Sequence, residues 1–362
     1  MNKYLITFKE TANHGLLERY NATNIKCMKR MKRLATCFLT NKMAKELSQN
    51  NSIESVENDN SEDFSDTFDA QEEEYVIDLM DVKEFHEKGY KGQGVKVAVL
   101  DTGVQKHEDL VVAGGYNAYD DSIPYDRGLV SSHGTRVAGV IAAQDNDQGV
   151  LGVAPEVELY AVRIDDGSGG INRTLWSSQI EAMDWCIENG MDAVNCSFSS
   201  DTESNARREA FEEAYNAGIA IFCSAGNKQS GVDVDEPTIA YPSKYHFVNT
   251  VASVNSDKTR YKTSSVGRGI NFSSGGVSIK STTIDKSNTI SNKYNSGTGT
   301  SYASPAVLGM FALYKSMYGE SRDKTLQRMY VNAERLGDEW EYGAGIPRFP
   351  KKEYENIQIW GR

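Results

Sequence analysis

The sequence predicts an α/β protein in which helices cover both faces of a mostly parallel, doubly wound sheet, with a small α+β module ahead of it. Two observations predict the large part. Short apolar runs recur from Gly94 onward, and stretches with helical spacing lie between them. The runs lack the apolar–polar alternation of half-exposed strands, which indicates strands buried on both sides. A chain of 362 residues is also long enough for one large core and an accessory domain.

The α+β module is predicted from about the first 60 residues. Its expected elements are strands at 3–9, 34–40 and 52–58 and a helix at 41–48 that Asn41 caps. The polar, acidic residues from Asn58 to Glu74 offer too little apolar surface for a packed core. We therefore divide the chain into a module at 1–60, an exposed linker at 61–74, a large domain at 75–348 and a tail at 349–362.

The large domain contains the apolar runs that predict the parallel sheet. Buried strands are expected at 95–100, 159–164, 193–198, 219–224 and 248–254. The helical patterns between them include residues 135–143, 175–189 and 205–217. Strands that alternate with helices in this way indicate βαβ units and hence a parallel sheet. No run of 18 or more apolar residues occurs, so we predict no membrane span.

The net charge of −12 is unevenly distributed along the chain. Residues 1–45 contain ten Lys and Arg against two Glu, whereas residues 46–69 contain eight acids and no base. A basic segment is one signature of nucleic-acid binding. It also suits docking on an acidic domain of the same chain, and we favour this interpretation. We expect neither nucleic acid nor a membrane as a partner.

The cysteines are odd in number and irregularly spaced. They are Cys27, Cys37, Cys186, Cys196 and Cys223. This pattern matches neither a disulfide framework nor a Cys-x-x-Cys metal site, so we favour buried, reduced structural thiols. A nucleophilic cysteine is the alternative for any one of them. Charges at positions 3, 9 and 10 interrupt the apolar stretch that a secretory signal requires, and we expect a cytoplasmic protein.

Three short motifs carry residue types with catalytic chemistry. Asp101 directly follows the first buried strand, where α/β folds place ligand sites, although an Asp there more often makes a turn. His133 opens a helix with small neighbours. Ser301, within Gly-Thr-Ser-Tyr-Ala-Ser-Pro, stands at another helix start, where unpaired N–H groups and the helix dipole favour negative charge. Each motif alone has a structural explanation.

The order of the three motifs is more specific than any one of them. His133 follows Asp101 by 32 residues, and Ser301 follows His133 by 168. Asp, His and Ser occur in this order in subtilisin. From about Tyr4 to Ile346 the chain resembles the subtilisin-like serine proteases, the subtilase family. The resemblance implies the subtilisin-like fold and a triad in which Ser301 attacks the peptide carbonyl, His133 transfers the proton and Asp101 orients His133.

The resemblance also implies an oxyanion site and a substrate cleft. Asn227 would donate its amide to the oxyanion together with the Ser301 backbone N–H, with a turn-forming Asn as the alternative. Substrate would add as a strand between residues 166–170 and 197–200. Ser199 and Ser200 occupy positions where the family usually has glycines. The implied substrate-binding residues are Gly167, Ser168, Gly169, Ser197, Phe198, Ser199, Ala225, Gly226, Lys228 and Ala240.

Two of these positions bear on specificity. Ala240 is small and leaves room in the primary pocket, and Lys228 would point its ammonium group at the pocket mouth. A positive rim would favour an acidic residue before the cut. A solvated Lys228 that contributes nothing is the alternative, because exposed charge pairs are often worth only about 0–1 kcal/mol.

The amino-terminal module resembles the inhibitory propeptide of the family in residues 3–9 and 42–59. The resemblance implies a ferredoxin-like propeptide domain that assists folding and then blocks the active-site cleft. The expected mature chain starts at Ala70, which makes Asp69 the residue before the cut.

A calcium site is likewise implied by the resemblance. Side-chain oxygens would come from Gln71, Asp109 and Asn146, and carbonyl oxygens from Gln144, Gln148 and Val150. Oxygen ligands around a loop suit Ca²⁺. The segment from Asp101 to Asp109 is one residue shorter than in the common family pattern, and an acidic, solvated loop is the alternative.

The main functional hypothesis is a calcium-stabilised serine endopeptidase, made as a zymogen and autoprocessed near residue 70. Its partners would be peptide or protein substrates and its own propeptide. The rival hypothesis is a noncatalytic binding or signalling protein that has the protease fold and retains its propeptide. The intact set of catalytic residue types favours activity, and nucleic-acid binding ranks third.

Overall fold

The computed structural model describes residues 1–27, 33–58, 75–127, 129, 131–165, 174–227, 236–283 and 293–351. The chain separates into two compact units, Met1–Thr67 and Phe68–Arg362. Each unit has its own apolar core. The predicted linker at 61–74 and most of the predicted tail lie outside the described residues.

The amino-terminal unit is a four-stranded antiparallel sheet with two helices. Its elements are β1 (Asn2–Phe8), α1 (His14–Arg19), β2 (Thr23–Cys27), β3 (Leu34–Leu39), α2 (Asn41–Leu47) and β4 (Ile53–Asn58). The chain order βαββαβ and the strand order β2-β3-β1-β4 are those of a ferredoxin-like fold. Its core includes Ile6, Phe8, Leu17, Leu39 and Leu47, all essentially buried.

The helix α2 begins at residue 41 as predicted, but its N-cap is Thr40 and not Asn41. The Thr40 hydroxyl accepts a hydrogen bond from the Met43 backbone N–H at 3.3 Å. The predicted cap, Asn41, instead accepts a hydrogen bond from the Tyr4 hydroxyl at 3.0 Å. The elements α1 and β2 are not predicted from the sequence, because six and five residues give too few periodic positions.

The second unit is built on a seven-stranded sheet with the order β11-β10-β9-β8-β5-β7-β6, in which every neighbouring pair is parallel. The sheet strands are β5 (Lys96–Asp101), β6 (Val112–Asn117), β7 (Glu158–Arg163), β8 (Ala193–Cys196), β9 (Ala220–Ser224), β10 (Asn249–Val254) and β11 (Ile270–Gly275). The helices are α3 (Tyr75–Leu79), α4 (Val82–Glu87), α5 (His133–Ala142), α6 (Trp176–Glu188), α7 (Asn205–Asn216), α8 (Thr300–Tyr318), α9 (Arg322–Val331) and α10 (Glu339–Tyr342). The short strands β12 (Ile279–Thr282) with β13 (Tyr294–Gly297), and β14 (Ala333–Glu334) with β15 (Ile346–Pro347), form two hairpin-like pairs.

Both faces of the parallel sheet are covered, which confirms the predicted fold class. Along β5, Val97 and Val99 belong to one apolar cluster, which they share with α5 and α8. Ala98 and Leu100 belong to a second cluster, which contains residues of α6 and α7. Because side chains of a strand alternate between its two faces, one strand serves both clusters.

The carboxyl end of the described chain is part of the packed unit. The Phe349 ring packs against Phe85 with 4.7 Å between the ring centroids, and Phe349 is buried. The Arg348 guanidinium forms an ion pair with Asp81 at 2.7 Å. Packing therefore extends through Phe349, one residue past the boundary predicted at 348.

The five cysteines are free thiols, and Cys37, Cys186, Cys196 and Cys223 are buried. Burial raises the pKa of the Cys37 thiol to about 11 and the pKa of Cys186 well above its usual range. Within the described part of the chain, no helix combines the length and the apolar character needed to span a membrane.

Candidate active site

The carboxyl end of β5 lies at a switch point of the sheet. β5 pairs with β7 on one side and with β8 on the other, and Asp101 is its last residue. At such a point neighbouring connections leave toward opposite faces and open a crevice in which α/β proteins bind ligands. His133, the first residue of α5, meets Asp101 at this crevice.

The close approach of α5 to β5 requires a glycine at position 134. A Cβ atom on Gly134 would lie 2.3 Å from the Gly103 carbonyl oxygen and 3.1 Å from the Asp101 Cβ. The Gly134 N–H donates to Thr102 Oγ1 at 3.0 Å, and the Thr102 N–H donates to Asp101 Oδ1 at 2.7 Å. These contacts fix the strand end against the helix start.

His133 and Asp101 share a bifurcated hydrogen bond. His133 Nδ1 lies 2.8 Å from Asp101 Oδ1 and 2.9 Å from Asp101 Oδ2. Because carboxylate oxygens only accept, the proton belongs on Nδ1, and Nε2 of the neutral ring keeps the lone pair that a general base needs. Asp101 is only 5% exposed, so little water competes for this bond.

The surroundings raise the pKa of His133 above its ordinary value. Burial lowers the pKa, but the charge of Asp101 and the hydrogen bond to it outweigh that effect. Repulsion from Arg136, one turn along α5, opposes the rise. His133 therefore takes up a proton more readily than an isolated imidazole does.

Ser301 is the second residue of α8 and is partly exposed. Pro305 stands four residues later and has no N–H to donate to the Ser301 carbonyl. The Ser197 hydroxyl supplies the missing donor at 3.0 Å. Asn195 donates to the Ser197 hydroxyl at 2.9 Å and accepts from the Ser304 hydroxyl at 2.8 Å. The end of β8 thereby fixes the backbone at Ser301.

Asn227 lies at the same helix start. Its Oδ1 accepts a hydrogen bond from the Thr300 backbone N–H at 2.9 Å and lies 3.3 Å from the Thr300 hydroxyl. Gly299, with φ of +139°, lets the backbone approach the Asn227 side chain closely, because a Cβ at position 299 would lie only 3.1 Å from Asn227 Nδ2. With Oδ1 held by Thr300, the two Nδ2 hydrogens remain as donors beside the Ser301 backbone.

A cavity of about 350 Å³ opens beside the pair of Asp101 and His133, and both residues line it. Ser197, Phe198 and Ser199, three of the predicted substrate-binding residues, line it as well. The structure thus places one predicted edge of the substrate cleft next to the histidine.

The predicted primary pocket lies at the end of β9. Ala225 is fully buried in a small apolar cluster with Ile239 and Ala252. Gly226, with φ of +104°, faces Ser199, whose hydroxyl would lie 4.0 Å from a Cβ at position 226. Ala240, which follows Ile239 of this cluster in the chain, is also buried. The remaining predicted site residues fall outside the described residues: Gly167, Ser168, Gly169, Lys228, Gln71, Asp69 and Ala70.

Arg207 also lines this cavity, and none of the sequence motifs points to it. Arg207 is 1% exposed and lies in the first turn of α7, whose other buried residues are Phe211 and Ala214. The spacing 207, 211, 214 is that of one helix face. An arginine at the first position of an otherwise apolar face is the signal that would have found it.

The predicted calcium ligands that the structure describes do converge. Asp109 is fully buried, with Oδ1 accepting from Asn146 Nδ2 at 3.1 Å and Oδ2 accepting from the Val150 N–H at 3.2 Å. The Gln144 N–H donates to the Asp109 carbonyl at 3.0 Å, and the Gln148 N–H donates to Asn146 Oδ1 at 3.1 Å. The shortened segment therefore still brings Asp109 to the loop.

Asp109 is a buried carboxylate for which no described lysine, arginine or histidine forms an ion pair. Burial raises its pKa to about 6, against the opposing effect of its hydrogen bonds. Among the described residues, no group of three or more His, Cys, Asp or Glu has metal-binding geometry. An ion here would need amide and carbonyl oxygens, and Asn146 would have to turn its Oδ1 inward.

Comparison with known proteins identifies the family. The model of the subtilase family matches residues 92–345. The chain is 39% identical to subtilisin DY of Bacillus licheniformis over 279 residues, which cover 76% of this chain and 97% of that protein. It is 35% identical to subtilisin NAT of Bacillus subtilis subsp. natto over 353 residues, which cover 95% of this chain and 88% of that protein. The chain belongs to the subtilase family.

A further relative of this subtilase is the thermostable alkaline protease of Halalkalibacterium halodurans, 36% identical over 312 residues, covering 85% of this chain and 80% of that protein. The comparisons confirm the resemblance of the chain to the subtilisin-like serine proteases. The matched range contains the strand, the two helix starts and Asn227, all described above.

Proposed function

We propose that this subtilase is an active serine endopeptidase that cleaves peptide or protein substrates through an acyl-enzyme on Ser301. The observation that carries the proposal is the bifurcated hydrogen bond, 2.8 and 2.9 Å long, between His133 Nδ1 and the Asp101 carboxylate. It sets the tautomer in which Nε2 accepts the proton of the nucleophile and later gives it to the leaving amine.

Asn227 and the Ser301 backbone N–H would stabilise the negative charge that develops on the carbonyl oxygen. The Asn227 amide is fixed before substrate arrives, because Thr300 holds its oxygen at 2.9 Å. Donors that are already oriented cost no reorganisation during the reaction. The start of α8 adds the positive end of its helix dipole at the same place.

Active-site labelling tests this proposal directly. A fluorophosphonate probe should modify Ser301 alone, as read from peptide mass spectrometry, because only this hydroxyl is activated by a base. Iodoacetamide should not block the reaction, since the thiol pKa of Cys37 and of Cys186 is raised by burial. A label on another residue, or none at all, would contradict the proposal and favour the noncatalytic alternative.

The labelling rate should also depend on pH in a fixed direction. Protonated His133 cannot accept the proton of Ser301, and its pKa is raised above 6.5 chiefly by Asp101, against the effect of burial. Labelling is therefore expected to be slow at low pH and to rise through a pKa above 6.5. Asp101→Asn should lower that apparent pKa, because the charge that favours the imidazolium is removed.

We further propose that the amino-terminal unit is a propeptide that is cut near Asp69 and Ala70. The supporting facts are that this unit is compact by itself and that the match to subtilisin NAT spans 95% of the chain. Its basic residues, ten within 1–45, suit an acidic protease unit. The free, buried thiols support a reducing compartment such as the cytoplasm.

We also propose that Asp109 and Asn146, with loop carbonyl oxygens, hold a Ca²⁺ ion. A buried carboxylate without a cationic partner, whose pKa is raised to about 6, is the observation that fits a bound cation. The neighbouring donors are oxygens, which Ca²⁺ prefers over nitrogen and sulfur. When bound, the ion would neutralise Asp109 and tie the loop at 144–150 to the segment between β5 and β6.

Removing calcium should lower the melting temperature. An ion present at a hundred times its Kd adds about 2.7 kcal/mol to the free energy of unfolding. For a domain of this size that corresponds to roughly 4–5 °C, measured after adding excess chelator to calcium-equilibrated protein. Asp109→Asn is the matched variant, and its melting temperature should not respond to the chelator. The same melting temperature in wild-type protein with and without chelator would remove the calcium proposal.

A further inference from the structure

Arg207 lies in the wall of the cavity that opens from His133. It is 1% exposed, and it is the largest by volume of the fully buried side chains among the described residues. An arginine stays protonated under all ordinary conditions, so this is a buried positive charge. A buried charge is costly unless an anion or several hydrogen bonds compensate for it.

The described residues compensate for Arg207 only in part. Its Nη2 donates to the Thr202 carbonyl at 2.9 Å, and its guanidinium lies 5.2 Å from the centre of the Trp176 ring. Its Nε is buried and has no hydrogen-bond partner there. The Tyr245 hydroxyl is a further partner of Arg207, and this interaction lowers the pKa of Tyr245 against the larger effect of burial.

The neighbouring acids already have other partners. Asp101 binds His133, and Asp165 binds Arg163 Nε at 2.5 Å. Glu203, just ahead of α7, is exposed and accepts a hydrogen bond from the Tyr241 hydroxyl at 3.1 Å. Among the described carboxylates none forms an ion pair with Arg207. The cavity is therefore positive at the Arg207 end.

We infer that Arg207 binds an aspartate or glutamate side chain of the substrate, located amino-terminal to the scissile bond. This inference rests on the proposed endopeptidase function and names the substrate class that the site prefers. The guanidinium fork matches a carboxylate in shape, and Trp176 holds its plane.

The geometry also suggests where along the substrate the acid stands. Alternate side chains of an extended peptide point the same way. The cavity is lined by His133 at one end and by Trp176 and Arg207 at the other. One substrate side chain would lie beside His133, and the next on the same face, two residues further from the cut, would reach Arg207.

The test is a positional scan with the full-length protein. Internally quenched peptides that differ only in Asp or Asn at the second, third or fourth residue before the cut are compared by kcat/KM. Wild-type protein should prefer Asp over Asn by about tenfold to a hundredfold at one position, the range expected for a hydrogen-bonded charge. In Arg207→Leu that ratio should fall to about one, whereas Arg207→Lys should keep part of it, because it retains the charge without the fork.

Arg208→Leu is the matched control. Arg208 is the next residue of α7, is exposed and lies 4.0 Å from Glu212, so its loss should leave the Asp-to-Asn ratio unchanged. Wild-type protein that labels on Ser301 but shows no acid preference at any of the three positions would overturn the inference and leave the endopeptidase proposal intact. Absence of both labelling and hydrolysis would instead refute the endopeptidase proposal. If Arg207→Leu fails to fold, the wild-type scan and the Arg207→Lys ratio decide.

Discussion

Replacing Ser301 with alanine is expected to abolish peptide hydrolysis and self-cleavage together. The variant loses the hydroxyl that we assign as the nucleophile, on the second residue of α8. In subtilisin, a member of the same family, loss of the catalytic serine lowers kcat by about 2 × 10⁶-fold. The expected loss is therefore taken from a relative. Residual catalysis would come from the oxyanion site and from substrate binding alone.

The measurement is intact mass spectrometry of wild-type and Ser301→Ala protein purified from a protease-deficient host. Wild-type protein should lose a fragment ending near Asp69, and the variant should keep its full mass. Ser296→Ala is the matched control, because Ser296 is exposed on the neighbouring strand β13. A variant that is still cut at the same bond would show that Ser301 is not the nucleophile of the self-cleavage.

In the large domain, the strands that the sequence predicts correctly are those at the centre of the parallel sheet. The five predicted strands, β5, β7, β8, β9 and β10, occupy the five central positions of the sheet. A strand covered on both faces is mostly apolar, so it is visible in the sequence. The two edge strands are not predicted. In β6, Gly115 allows the close approach to Ala161, and a Cβ there would lie 2.3 Å from its carbonyl oxygen.

The motif residues could be predicted because they lie at the ends of strands and helices, which the sequence marks. Asp101 ends a strand, and His133 and Ser301 begin helices, so each stands at a boundary that leaves a signal in the sequence. Arg207 could not be found in this way. Its role depends on the cavity that its helix face lines. Tertiary packing brings Arg207 to the same cavity as His133, which is 74 positions earlier in the chain.

The hydrogen bonds that fix the site are also invisible in the sequence. The Ser197 hydroxyl donates to the Ser301 carbonyl across 104 residues, in place of the N–H that Pro305 lacks. Proline at this position is readable in the sequence, but the residue that compensates for it is not. Long-range polar contacts of this kind have no periodic signature, because they join single positions.

Asn227→Asp should lower kcat by about 10²–10³-fold with little change in KM. The magnitude is the loss measured for the equivalent donor in a subtilisin, so it is a family expectation. Aspartate has the shape of asparagine and retains an oxygen for the Thr300 N–H, which Asn227 Oδ1 accepts at 2.9 Å. Only the Nδ2 donors are replaced, by an oxygen that repels the developing oxyanion.

A comparison with Asn227→Ala separates catalysis from architecture. Alanine removes the donor and also leaves the Thr300 N–H and hydroxyl without the oxygen at 2.9 and 3.3 Å, so it should lower the melting temperature more than aspartate does. Both variants should lose kcat, because the donor acts on charge that exists only in the transition state. Asn227 would have the turn-forming role instead if Asn227→Asp kept kcat close to the wild-type value, or if the variant changed only KM. The backbone N–H groups at the start of α8 would then have to stabilise the oxyanion.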